Sequence, residues 1–202
     1  MNCDKTLDHF IKDRRKFWAS CLTFLMVGVI FSYISSRGIS RFPWTTGDAS
    51  SYLNFSETRP HGYPTFLYLY KIIFPDLAHL PAVQNMMVSL SVTALSLAVT
   101  IRSGSIGLGL ATFAMSSCLR SLDQSGVMSD SLYTTLTTTG TASFLVLISL
   151  EKRRTPWLII DSISFGLALI TRSIGVVPAC AFVSYLMANG WWQRRRRCTP
   201  LA

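Results

Sequence analysis

The sequence predicts an all-α, polytopic membrane bundle of about six transmembrane helices, and three observations predict it. Half of the 202 residues are hydrophobic and only 14% are charged, against roughly 25% in an ordinary soluble domain. The apolar residues gather in runs of about 15–20, near the length of a spanning helix and without the two-residue alternation of barrel strands. Lys and Arg flank these runs unevenly, as they do where cytoplasmic loops alternate with outer ones.

The first run, Phe17–Ser35, follows a basic segment and is trailed by no small-residue cleavage pattern, so it reads as an uncleaved signal-anchor. Residues 36–81 form the longest connection. Within it Tyr63–Phe74 is apolar and aromatic but too short to span; Pro64 at the start and Pro75 at the stop predict an interfacial helix along the outer headgroups. Ala82–Ile101 and Leu132–Leu150 have spanning length. Ile106–Leu119 and Trp157–Thr171 are short against the roughly 20 residues required, so they must borrow Ser, Thr and Gly flanks or pack inside the bundle. Gly175–Trp192 closes the set, followed by Arg194–Arg197, a headgroup anchor beside Trp191 and Trp192. The chain thus divides into a cytoplasmic segment 1–16, a membrane domain 17–192 with its outer loop 36–81, and a basic cytoplasmic tail 193–202.

Six spans with the N-terminus inside put Lys5, Lys12, Arg14, Arg15, Lys16, Arg102, Lys152, Arg153, Arg154 and Arg194 to Arg197 on the cytoplasmic side, thirteen of the nineteen basic residues. Arg37, Arg41, Arg59, Lys71, Arg120 and Arg172 fall on the outer side. Both termini are therefore expected in the cytoplasm. The net charge of +9 follows from this topology and needs no nucleic-acid partner. Cys21, Cys118 and Cys180 lie in apolar runs, Cys3 and Cys198 at the cytoplasmic ends, so neither a disulfide nor a zinc site is expected. The spans carry few polar groups at mid-depth, which argues against a transporter or channel.

The chemistry-bearing residues collect on the outer side. Gly47-Asp48-Ala49-Ser50-Ser51-Tyr52 is followed by Arg59-Pro60-His61-Gly62-Tyr63-Pro64, and the second outer turn supplies Ser129-Asp130-Ser131-Leu132-Tyr133. A third stretch, Gly166 to Arg172, ends in a cation that interrupts an apolar run, a costly placement unless the charge is used or paired. Arg59 and Arg172 suit phosphate, because guanidinium forks match its oxygens and stay charged in a partly apolar site. The plainer alternatives are a solvated loop cation for Arg59 and an ion pair with Asp130 or Asp123 for Arg172. Asp48 is also a good N-cap for a helix from Ala49, and Asp130 for one from Ser131. Asp161 lies one turn into the fifth span, within reach of Arg153 or Arg154, and has no catalytic part.

In order and spacing these motifs resemble the N-terminal part of GT-C glycosyltransferases, and most of all the family-39-like branch that includes protein O-mannosyltransferases and the aminoarabinose transferase of lipid A. The resemblance covers roughly Arg14 to Met187. It implies an inverting transfer of sugar from a polyprenyl-phosphate carrier to an acceptor at the outer face of a membrane, in a bacterial inner-membrane setting. It implies Asp48 as the base that deprotonates the acceptor, and Arg59, His61, Tyr63, Asp130 and Arg172 as substrate-binding residues, with Tyr52 and Tyr133 lining the same pocket. No cofactor or metal is implied. Two positions depart from the pattern: His61 stands where relatives often have a second Pro, and Asp130 where they usually have Glu. Relatives have eleven or more spans, so the chain is similar to an N-terminal module, with a partner membrane protein as one source of further helices. The alternative is a noncatalytic scaffold or lipid-phosphate-binding subunit of an envelope-glycan assembly.

Overall fold

The computed structural model describes residues 14–37, 49–54, 60–120, 129–149 and 155–198. They form eight α-helices and no strand: α1 (Arg14–Ser36), α2 (Ala49–Leu53), α3 (Gly62–Ile73), α4 (Leu80–Ser103), α5 (Ile106–Arg120), α6 (Ser129–Ser149), α7 (Thr155–Thr171) and α8 (Val176–Cys198), with a 3-10 turn at Ser173–Gly175 before α8. The all-α expectation is met. α4 is the axis, packed by α1, α5 and α6; α7 lies against α6, and carries α3 and α8 on its flanks.

Local chemistry sets the ends of these helices. Pro81 stands in the first turn of α4, where a missing N–H costs nothing, and Gly104 ends the helix in the left-handed region at φ 68, its N–H donating to the Thr100 carbonyl at 2.8 Å. α3 opens on His61, whose carbonyl accepts from Thr65 N at 3.0 Å and from Thr65 Oγ1 at 2.8 Å, and stops before Pro75. A helix thus occupies the segment of the outer loop where the sequence expects one. Other limits differ from the hydropathy limits. α1 begins at Arg14 rather than Phe17, α6 at Ser129 rather than Leu132, and α8 runs on past Trp192 to Cys198. Arg, Lys and Gln are good helix formers, so a helix continues where an apolar run has ended.

One helix among the described residues, Leu80–Ser103, is long and apolar enough to cross a membrane. That falls short of the six expected spans. The apolar stretches Trp18–Ile34, Ile106–Cys118, Thr155–Thr171 and Ser173–Ala188 hold 17 residues or fewer. At 1.5 Å per residue, 17 residues reach about 26 Å against a hydrocarbon core of about 30 Å. α6 has the length, at 21 residues, but Thr134, Thr135, Thr137, Thr138, Thr139 and Thr141 dilute its apolar character.

The bundle also inverts the usual distribution of polarity. Among the described residues the buried set contains sixteen hydrophobic and fifteen polar side chains, while large apolar residues such as Leu22, Met26 and Ile30 of α1 and Ile163, Leu167 and Ile170 of α7 face outward. Most of the buried hydroxyls answer to their own helix: Thr93 Oγ1 donates to Ser89 O at 2.8 Å, Ser96 Oγ to Val92 O at 2.8 Å, and Thr100 Oγ1 to Ser96 O at 2.9 Å. Small side chains then let helices close in. A Cβ at Gly109 of α5 would meet the Ser96 carbonyl of α4 at 2.8 Å.

Candidate functional site

Four segments distant in sequence meet at one end of the bundle. Tyr52 of α2 shares a 3.0 Å hydrogen bond with Ser129 Oγ at the start of α6, across 77 residues of chain. Its ring meets the edge of Tyr63, the second residue of α3, with centroids 5.1 Å apart and planes at 87°. Tyr63 is fully buried, and its hydroxyl accepts a 2.7 Å hydrogen bond from Gln84 Nε2 of α4. Burial pushes the Tyr63 phenol well above the ordinary tyrosine range, with the Gln84 bond a smaller opposing effect, so the ring works as a neutral group. Leu67, Tyr70, Leu80 and Leu132 complete the apolar cluster beneath these rings.

Gly62 brings α3 onto the end of α7. A Cβ there would lie 2.7 Å from the Ile170 carbonyl oxygen and 2.8 Å from Thr171 N, so only a glycine lets the two backbones touch. Immediately beyond, Arg172 adopts extended geometry, φ −147 and ψ 141, which interrupts the helical path between α7 and the 3-10 turn. Its N–H still donates to Ala168 O at 3.1 Å, and its carbonyl accepts from Gly175 N at 2.9 Å. The guanidinium forms an ion pair with Asp130. Asp130 is in the first turn of α6, where the helix dipole favours a carboxylate, and is not the cap of a helix beginning at Ser131. The side chains are 41% and 57% exposed, so water screens the pair and another anion can compete for the guanidinium.

Of the residues singled out from the sequence, Tyr52, Tyr63, Asp130 and Arg172 are thus brought together. His61 is exposed at the start of α3, beside Gly62, and its side chain makes no capping bond. Tyr133 is half-buried one turn into α6. Asp48 and Arg59 lie outside the described residues; in sequence they adjoin α2 and Pro60. Sequence reasoning passed over Gln84, and named Ser129 within its motif without giving it a role. An amide inside an apolar run is itself a signal, because a buried amide demands a partner, and Ser129 directly precedes Asp130.

No group of His, Cys, Asp and Glu that could hold a metal ion occurs among the described residues. What the end of the bundle offers is a guanidinium with an exchangeable counter-ion at the same end as the buried rings of Tyr52 and Tyr63. That arrangement suits an anion carried on an apolar or sugar-bearing body. No family model, curated protein or solved structure matches the chain.

Proposed function

We propose that the chain is the N-terminal membrane module of a GT-C-like glycosyltransferase of the family-39-like branch, which moves a sugar from a polyprenyl-phosphate carrier to an acceptor at the outer face of the membrane. The observation that carries this reading is the convergence at one end of the bundle of four motif segments that lie apart in sequence: Tyr63 with Tyr52, Tyr52 with Ser129, and Asp130 with Arg172. The outward apolar side chains and inward hydroxyls support a membrane setting, since lipid solvates the former and neighbouring helices the latter. Six spans, with both termini in the cytoplasm, follow from the partition of basic residues; the shorter helices then cross by local thinning of the bilayer.

In this reading Arg172 releases Asp130 for the phosphate oxygens of the carrier, and Arg59 adds a second cation to the departing lipid phosphate. Asp48 takes the acceptor's hydroxyl proton as that oxygen attacks the anomeric carbon; the sugar–phosphate bond breaks and the electron pair leaves with the carrier. Tyr63 and His61 border the sugar. The noncatalytic alternative, a lipid-phosphate-binding subunit, draws on one observation: Arg172 is neutralised by Asp130 without any substrate.

A deletion strain of the native host, complemented with wild type, Asp48→Asn or Arg172→Ala, separates the two. Mass spectrometry of envelope lipids is expected to show a polyprenyl-phosphate sugar accumulating on deletion, and a glycan lacking that sugar. Asp48→Asn should fail to restore it, with transfer reduced about 10²-fold or more, the usual worth of a positioned base. Restoration by Asp48→Asn but not by Arg172→Ala would select the binding subunit. No change in lipid-linked sugars on deletion would sink both.

A further inference from the structure

Asp161 takes no part in the site at the end of the bundle, and its surroundings are unusual. Its side chain is fully buried on the face of α7 that meets α6. The two helices run antiparallel in one register, fixed by Asp130 against Arg172 at the end, Gly140 against the Phe165 ring further along, and Ser143 against Asp161 beyond that. Asp161 therefore lies eleven residues from Arg172, about 16 Å along the helix. One carboxyl oxygen, Oδ1, lies 3.5 Å from Ser143 Oγ, whose hydroxyl also has the Gly140 carbonyl at 3.0 Å and the Thr139 carbonyl at 3.1 Å as acceptors, and the other, Oδ2, is buried with no hydrogen-bond partner among the described residues.

The charged and titratable groups on the surrounding elements are few. Apart from Asp161 itself, the described side chains of α6, α7 and α8 include no Lys, Arg or His; they offer Asp130 and Tyr133 near the start of α6, and Cys180 and Tyr185 on α8, with Tyr185 packed on Phe144, while α3, packed against the Arg172 end of α7, carries Tyr63, Tyr68, Tyr70 and Lys71. α4, on the other side of α6, has Arg102 in its last turn. A carboxylate in such surroundings would be a buried charge held by one hydroxyl, and such a group gives up its charge by taking a proton. A metal cation is no substitute. It would need several oxygen ligands, and the Phe165 ring, which a Cβ on Gly140 would meet at 2.8 Å, fills the seam on that side.

We propose that Asp161 is a proton-binding site in the seam between α6 and α7, a neutral carboxylic acid whose Oδ1–H donates to Ser143 Oγ while the Ser143 hydroxyl donates to the Gly140 carbonyl. The inference rests on packing and is independent of the glycosyltransferase reading. Because α6 and α7 also carry Asp130 and Arg172, the proton holds together the pair of helices that present that ion pair. The full chain, reconstituted in liposomes at neutral pH, tests it by infrared spectroscopy. A carbonyl band of a protonated carboxylic acid is expected in the wild type, shifting when aspartate is labelled with carbon-13 and absent in Asp161→Asn, whose amide mimics the neutral acid and keeps the melting temperature. If Asp161→Asn does not fold, the isotope shift in the wild type decides alone. Absence of the band overturns the proposal. So does a band lost on adding sodium chloride, which marks a cation site, or destabilisation by Arg153→Ala or Arg154→Ala matching that of Asp161→Asn, which marks an ion pair.

Discussion

The end of the bundle and its middle handle polar side chains in opposite ways. At the end, Tyr52, Tyr63, Gln84 and Ser129 bond across helices, and the bonds join segments up to 77 residues apart. In the middle, Thr93, Ser96 and Thr100 turn back to carbonyls of their own α4, and the helices are joined by close backbone approach instead. The difference teaches where specificity resides. A hydroxyl that answers its own helix makes that helix narrow and transferable, whereas one that answers another helix fixes which segments share a site.

Substitutions probe this contrast, and the largest effect belongs to Gly62. Gly62→Ala places a Cβ against the Ile170 carbonyl and should destabilise by roughly 1–3 kcal/mol, the usual range for overpacking. Gly166→Ala has open space and should gain about 0.5–1 kcal/mol from helix propensity. Thermal unfolding of the purified protein in detergent checks both, and equal behaviour of the two variants would remove the α3–α7 contact.

Tyr63→Phe follows in size. It leaves Gln84 Nε2 without its 2.7 Å acceptor in a buried place, at a cost of about 1–3 kcal/mol. It also has a pH signature. The folded phenol holds its proton above the ordinary tyrosine value near 10, so its contribution is complete below about pH 10 and is lost as pH rises beyond that. Unfolding followed from neutral to alkaline pH should therefore show a fall in stability that is smaller in Tyr63→Phe; a fall of equal size would deny Tyr63 the role.

Tyr52→Phe should lose about 1 kcal/mol, and a double-mutant cycle with Ser129→Ala should reveal coupling between the two. Asp130→Asn should change stability by only about 0.2–1 kcal/mol, because the pair with Arg172 is exposed to water, and the change should shrink as salt is added. Thr93→Val comes last. Its hydroxyl hydrogen-bonds Ser89 O of its own helix and packs on Gly28, where a methyl occupies similar space, so the change should shift stability by less than about 0.5 kcal/mol. A cost for Thr93→Val as large as that for Tyr52→Phe would erase the contrast between the two regions.

The helical class and the short helix in the outer loop were legible in the sequence, because long apolar runs and the flanking Pro64 and Pro75 are local signals. The pairing of Arg172 with Asp130 was legible for a different reason: a cation interrupting an apolar run demands a partner, and the second outer turn offers the nearest acids. The number of helices long enough to cross a membrane was less so. Hydropathy marks apolar stretches, whereas a span needs length as well, and the threonines of α6 and the short α5 and α7 separate the two. Contacts such as Gly62 on Ile170 were not legible at all. A glycine records that a side chain is missing, not which backbone takes the room.

The contact at Gly62 has a consequence for how such a protein tolerates change. Since peptide groups rather than side chains meet there, the identities of His61, Tyr63, Ile170 and Thr171 do not enter the geometry of the contact. Drift in the surrounding letters leaves the spacing between the start of α3 and Arg172 intact, so side chains there can diverge on a fixed frame.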